Sequence, residues 1–376
     1  MKPRAATFAT FMVNGAVVGT WVAYIPWMQD KLGVSKSTLG VSLLCMALGS
    51  LCAMPLAGQI LDRRPSAQVV RAAALVTCLW LPLPLLARTP VELGALLLVL
   101  GAVNGSMDVA MNAHGVAVER ELPKPIMSSL HGGWSLGGFA ASGLVVVATA
   151  VGIDPRLWGA IMGVALCLAM LAVATRLGGA SMQSRDAGGG FALPSRGVLL
   201  IGILCLLAMV TEGAVADWGG IYLRQNLGAG DLAATAYAGF SLGMAAARLG
   251  GDLLNTRFGA ARLLRGGTAL VAIALAGVLL IGEPVVAVLG FALAGLGLAN
   301  AVPLLFSAAG RVPPAGPSLA AVFTVGYTAV IAGPPVIGVL ADHIGLPDTL
   351  GLLVLAALSV TALGGRIYRA TPARGR

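Results

Sequence analysis

The chain has 376 residues, of which 58% are hydrophobic and only 10% charged, with a mean hydropathy of +0.91. A water-soluble protein carries about a quarter charged residues, so water is excluded as the solvent for most of this surface and lipid takes its place. The formal net charge of +9 does not imply nucleic acid, because the basic residues are scattered between apolar runs and form no patch.

A helix needs about 20 apolar residues to cross about 30 Å of hydrocarbon. Breaks at charged, Pro and Gly clusters predict six spanning helices over 6–29, 37–61, 67–88, 91–118, 126–151 and 156–176. Six more follow over 196–223, 231–254, 260–281, 285–308, 318–341 and 346–368. The first apolar run is too long for a signal peptide and reads as the first span. The stretch "GGASMQSRDAGGGFALPSR" (178–196) reads as a cytoplasmic linker between an N-terminal bundle, 1–177, and a C-terminal bundle, 197–376. The five cysteines lie inside apolar stretches without metal-ligand spacing and read as small core residues.

Threading the spans back and forth puts Lys31, Lys36, Arg88, Arg156 and Arg224 on one side, and the other nineteen of the 24 Lys and Arg on the other. The excess marks the cytoplasmic face and predicts both termini inside.

The two sets of six spans are related. Gly133-Trp134-Ser135 precedes Gly152 by 19 residues, and Gly326-Tyr327-Thr328 precedes Gly345 by the same 19. Gly105-x-x-Asp108 matches Gly297-x-x-Asn300, and "NGAVVGTW" (14–21) resembles "EGAVADWG" (212–219), which pairs Asn14 with Glu212. Three matches in order, at offsets of 192 to 198, argue for a duplicated six-helix unit. Parallel repeats of this kind are one way in which secondary transporters are built, with the substrate between the halves.

At this point the chain resembles the major facilitator superfamily over its whole length. "GQILDRR" (58–64) resembles the superfamily's cytoplasmic signature, departing from it at Pro65 and Ser66, and "GGDLLNTRFG" (250–259) resembles its degenerate second copy. "GSMDVAMN" (105–112) is similar to a pattern of the fucose-permease-like branch, and "NGSMDVAMNAHGVAVE" (104–119) to a YbjJ-like bacterial group. The resemblance implies an all-α membrane protein, twelve transmembrane helices in two pseudo-symmetric six-helix bundles. It implies alternating access in a bacterial inner membrane, a single chain, and no cofactor.

Asn104, Asp108 and Asn112 recur every four residues and form one polar stripe on the fourth span. Ionisable residues inside a membrane are rare and face a bundle interior or an aqueous path. A carboxyl group that leaves water holds its proton more tightly, so Asp108 is the first candidate proton carrier and Glu212 the second. The alternative for Asp108 is a structural carboxylate hydrogen-bonded to Asn or a neighbouring helix. Asn14, Trp21, Tyr24, Asn104, Asn112, Trp134, Asn300 and Tyr327 are the candidate substrate contacts, with Trp134 and Tyr327 as platforms for a ligand ring. Asp217 reads as an outer-cavity or interfacial residue, His131 as a packing residue, and His114 lies off the Asp108 stripe. Asp62, Arg63 and Arg64 resemble the family's inner gate, with Arg248 and Asp252 as the matching latch or a simple i,i+4 pair.

A pocket with acids, amides and aromatics but no central Arg or Lys fits a neutral sugar or polyol, or a cation. No metal motif, Walker loop or nucleophile elbow is present, so no enzyme is expected. The expected function is proton-coupled uptake of a small polar solute. Proton-coupled efflux of drugs or metabolites, and a non-transporting sensor on the same fold, stand as alternatives. The expected partners are the solute, protons and the bilayer, with no nucleic acid.

Overall fold

The computed structural model describes residues 3–122, 126–178 and 195–369. The first half comprises α1 (Pro3–Leu32), α2 (Lys36–Leu61), α3 (Ser66–Trp80), α4 (Pro90–Arg120), α5 (Met127–Ala150) and α6 (Pro155–Ala174). The second comprises α7 (Arg196–Gln225), α8 (Ala233–Phe258), α9 (Ala260–Ile281), α10 (Pro284–Leu298), α11 (Ala301–Ala309), α12 (Ala315–His343) and α13 (Leu346–Arg369). No strand occurs among the described residues. Most of the linker proposed at 178–196 lies outside them.

Among the described residues, eleven helical stretches are long and apolar enough to cross a membrane, with Ser66–Leu86 and Pro284–Ala309 each taken as one. The expected twelfth, α8, has the length at 26 residues but carries Arg248, Asp252 and Arg257 in its second half. Packing makes up for that polarity, since α8 is flanked by α5 and α10. The tenth span, read as one helix over 285–308, is two. Pro303 has no N–H for the Ala299 carbonyl four residues earlier and its ring crowds that group. The helix therefore stops at Leu298 and restarts after Asn300, which occupies the N-cap position of α11 without a side-chain capping bond.

Small residues set the helix spacing. A Cβ on Gly49 would lie 1.8 Å from the Leu98 carbonyl oxygen, and one on Gly101 1.9 Å from that of Met46, so α2 and α4 touch backbone to backbone. In the second half Gly243 and Gly295 do the same for α8 and α10, at 1.9 Å from the Ala292 oxygen and 2.1 Å from the Phe240 oxygen. Both glycine pairs are 194 residues apart, so the duplication extends to the contact geometry. Close approach through Gly is a common mode of helix association in membranes.

The end of the molecule where α1 begins and α13 finishes is called the terminal side below, and the opposite end the far side. At the far side the halves are latched. Arg224 on α7 pairs with Asp30 on α1, and Gln225 donates to Gln29 at 2.9 Å. Asp342 near the end of α12 accepts from the backbone N–H groups of Lys36 and Ser37, at 3.1 and 2.8 Å, and so caps α2 from the other half. Beside this cap, Gly40 approaches Pro334 and Gly338 approaches Lys36, with virtual Cβ distances of 2.5 and 2.4 Å to carbonyl oxygens.

Candidate transport cavity

Between the halves lies a cavity of about 870 Å³. Its wall includes Met127, Asn255 and Leu263, at the terminal-side ends of α5, α8 and α9, and it reaches past mid-depth to Asp217 and Tyr237. It therefore extends to the terminal side and ends beneath the far-side latch.

The first half contributes an amide hub. Asn14 on α1 is buried and donates to the Asn104 side-chain oxygen on α4 at 2.9 Å, while the Trp134 indole on α5 donates to the Asn14 oxygen at 2.8 Å. Three helices are joined through one side chain, with the polar edge of the hub on the cavity. Asp108 lies one turn beyond Asn104 and also lines it. The partner of its carboxylate is Asn112 on the same helix, donating at 3.1 Å to Oδ1 and at 2.9 Å to the Asp108 carbonyl. Asn112 thus supports Asp108 and is not part of the cavity wall.

The second half contributes a charge pair that sequence reasoning placed elsewhere. Arg248, expected at an inner latch, lies in the cavity wall. It donates to Glu212 on α7 at 3.4 Å and to the Ser135 hydroxyl on α5 at 2.9 Å, with its guanidinium 6.0 Å from the Trp134 ring centre. The Arg248 carbonyl in turn accepts from Ser128 at 2.8 Å. The expectation of a pocket without a central basic residue is thereby corrected. The reason is depth: Arg248 is ten residues from the end of α8, well inside the span. The Asp252 side chain lies outside the described residues. Asp62, Arg63 and Arg64 are exposed in the turn after α2 and form no ion pair among the described residues.

Trp21 and Tyr24 are buried in the helix packing and do not line the cavity. At about 100° per residue, the α1 stripe facing the cavity runs Asn14, Val18, Val22. Trp21 and Tyr24 are turned about 100° and 160° away from Val22 on the same count. Asn300 lines the cavity at the α10–α11 break. Tyr327 stacks on Phe323 with ring centres 4.3 Å apart, and Phe323 on Phe306 at 5.5 Å, which makes one wall an aromatic ladder.

Sequence reasoning missed Tyr237 and Ser241, which line the cavity together with Asp217, the residue read as outer-cavity or interfacial. The signal was present in α8, where Tyr237, Ser241, Met244, Arg248, Gly251 and Asn255 recur at spacings of three and four, the mark of one helix face. No cluster that could hold a metal ion occurs among the described residues.

A helical bundle in two related halves, with a charged cavity between them, has the architecture of a membrane carrier. The family model of the Major Facilitator Superfamily matches residues 6–334, and the chain belongs to that superfamily as a transporter of its type. It is 34% identical over 374 residues to an uncharacterised transporter of this type from Yersinia pestis, covering 98% of this chain and 97% of the relative. It is 31% identical over 357 residues to the membrane protein MosC of Rhizobium meliloti, covering 93% and 86%. The fold is also that of a nucleoside transporter, NupG, with a TM-score of 0.75 at 13% identity, covering 98% of this chain and 99% of that one.

Proposed function

We propose that the protein is a proton-coupled secondary transporter that takes up a small polar solute, sugar- or polyol-like, across the bacterial inner membrane. In this reading the terminal side is cytoplasmic, and residues 1–177 rock against 197–376. The observation that carries it is the position of Asp108: a carboxylate on a cavity wall, inside a span, with one amide from its own helix as partner. Such a group can change its protonation whenever the cavity changes sides, since little else holds its charge. Glu212 is the second proton candidate, and its pairing with Arg248 ties its charge to the α5–α8 contact. The hydroxyls of Ser128, Ser241 and Ser307 and the Asn300 amide supply polar contacts for a hydroxylated solute, and Trp134 and Tyr327 supply ring faces.

The test is transport by the purified protein in liposomes, with the inside pH followed while sugars and polyols are offered under an imposed proton gradient. Solute-dependent proton entry that disappears in Asp108→Asn supports the reading. Uphill, pH-dependent transport that persists in Asp108→Asn removes Asp108 from the proton's path. Proton movement opposite to solute movement assigns the alternative, efflux.

A further inference from the structure

Of the three carboxylates that line the cavity, Glu212 faces Arg248 and Asp108 is held by Asn112. Asp217, eight residues before the end of α7, has no hydrogen-bond or ion-pair partner among the described residues. It also borders a second, smaller space of about 80 Å³ between α7 and α12, lined by Gly213, Trp218, Val330, Gly333 and Pro334 among others. A carboxylate left unpaired inside a membrane protein is costly, so its persistence in a cavity wall asks for a ligand.

The surroundings say which kind. Pro334 and Pro335 have no N–H to offer the carbonyls of Val330 and Ile331 four residues earlier. The Val330 residue borders both the cavity and the side space. The corner therefore holds a carboxylate without a partner among the described residues beside a helix turn interrupted by proline, and the guanidinium of Arg248 is already engaged by Glu212 and Ser135. A carboxylate with no cation of the protein beside it is matched by a donor that carries positive charge. Gly213 lies one turn before Asp217, and a Cβ there would meet nothing within 4 Å. The open volume suits a compact head group: at about 30 Å³ per water, the side space is the size of two or three waters, enough for an ammonium with its first carbon. The aromatic faces of Tyr237 and Phe240 line the same cavity and are compatible with a cation.

We propose that Asp217, with the side space next to it, is a subsite for a protonated amine, so that the polyol-like solute of the cavity carries an ammonium group. This names the substrate class of the cavity described above and rests on the transporter reading, while leaving the proton to Asp108. A cation and a proton then have separate carboxylates, which lets both occupy the cavity at once.

The test uses the full-length detergent-purified protein and measures its melting temperature against ethanolamine hydrochloride, ethylene glycol and sodium chloride at pH 7. Ethanolamine and ethylene glycol have similar size and differ in charge. Saturable stabilisation by ethanolamine, absent with the other two, is the expected result. Asp217→Asn should raise the concentration needed at least tenfold, and Ser359→Ala, on α13 outside the cavity wall, should leave it unchanged. Gly213→Val fills the side space without altering any charge and should abolish the effect, which keeps the test decisive where Asp217→Asn does not fold. Equal stabilisation by sodium chloride assigns the site to inorganic cations and overturns the proposal. No ethanolamine effect, or an effect that survives both Asp217→Asn and Gly213→Val, overturns it as well. The melting assay needs no proton gradient, so absence of the ethanolamine effect overturns the amine subsite while solute-dependent proton entry in liposomes still stands as the separate test of the transporter reading.

Discussion

Arg248 on α8 and Glu212 on α7 form a salt bridge at 3.4 Å, and the same guanidinium donates to Ser135 on α5 at 2.9 Å. One side chain therefore connects the two halves of the molecule at the cavity wall, with Arg248 15% and Glu212 28% exposed. A pair this far from bulk water is weak evidence for stability in itself, but removing one partner strands the other. Arg248→Met and Glu212→Gln should each destabilise, and the double variant should be less destabilised than the sum. Thermal unfolding of the four proteins in a double-mutant cycle should give a coupling of about 1–3 kcal/mol. Additive effects would mean that the two groups act independently.

Asn14 spends both of its side-chain functions on neighbours, donating to Asn104 and accepting from Trp134. Asn14→Leu keeps the volume and leaves an amide oxygen and an indole N–H without partners. Each stranded group costs about 1–3 kcal/mol when buried. The melting temperature should fall well below that of Asn104→Ala, which leaves the Trp134–Asn14 bond in place. Equal losses in the two variants would show that the hub is not centred on Asn14.

The far-side latch depends on Asp342 capping α2 in trans and on the Asp30–Arg224 pair. Both lie where solvent reaches, so each contributes no more than about 1 kcal/mol. In the alternating access proposed above, losing both would favour opening of the far side. Asp30→Ala combined with Asp342→Ala should increase labelling of Ala216→Cys, a cavity residue, by a membrane-impermeant maleimide added from the far side. The background protein should lack Cys52, which is exposed. Unchanged labelling would assign far-side closure to the Gly40 and Gly338 contacts instead.

Gly137 packs with its virtual Cβ 2.0 Å from the Met12 carbonyl oxygen, whereas Gly143 on the same helix has nothing within 4 Å. Gly137→Ala should force α1 and α5 apart, at a cost of about 1–3 kcal/mol. Gly143→Ala should raise helix stability by about 0.5–1 kcal/mol. Thermal denaturation of the two variants should therefore shift in opposite directions.

Much of the fold was legible because hydrophobic runs and the Lys and Arg bias report on the bilayer directly. The five basic residues assigned to the far side all sit at that end, and Lys31 there donates to the Leu85 and Ala87 carbonyls at 2.8 Å. The break in the tenth span was announced by Pro303, but a proline alone does not say whether a helix bends or stops. Site residues were harder to read, because depth follows from counting along a span while rotation about the helix axis does not. Asn104 and Asp108, four residues apart, share one face of α4 and line the cavity, with Asn14 facing it from α1. Trp21 and Tyr24 were chosen for chemistry alone, and their side chains turn into the packing. Arg248 was read through its neighbour Asp252, four residues on, rather than through Ser241 and Tyr237 behind it, where the face it shares was recorded.

The interruption at Ala299–Asn300 has a mechanical meaning. Its counterpart in the first half, α4, is one unbroken rod of 31 residues bearing Asp108, while α10 packs on α8 and α9 and α11 packs on α7, α9 and α12. In the rocking motion proposed above, this nine-residue segment would follow α7 and α12 while the longer piece stays against α8. The duplicated halves would then divide their labour, one keeping the ionisable group on a stiff strut and the other supplying the joint.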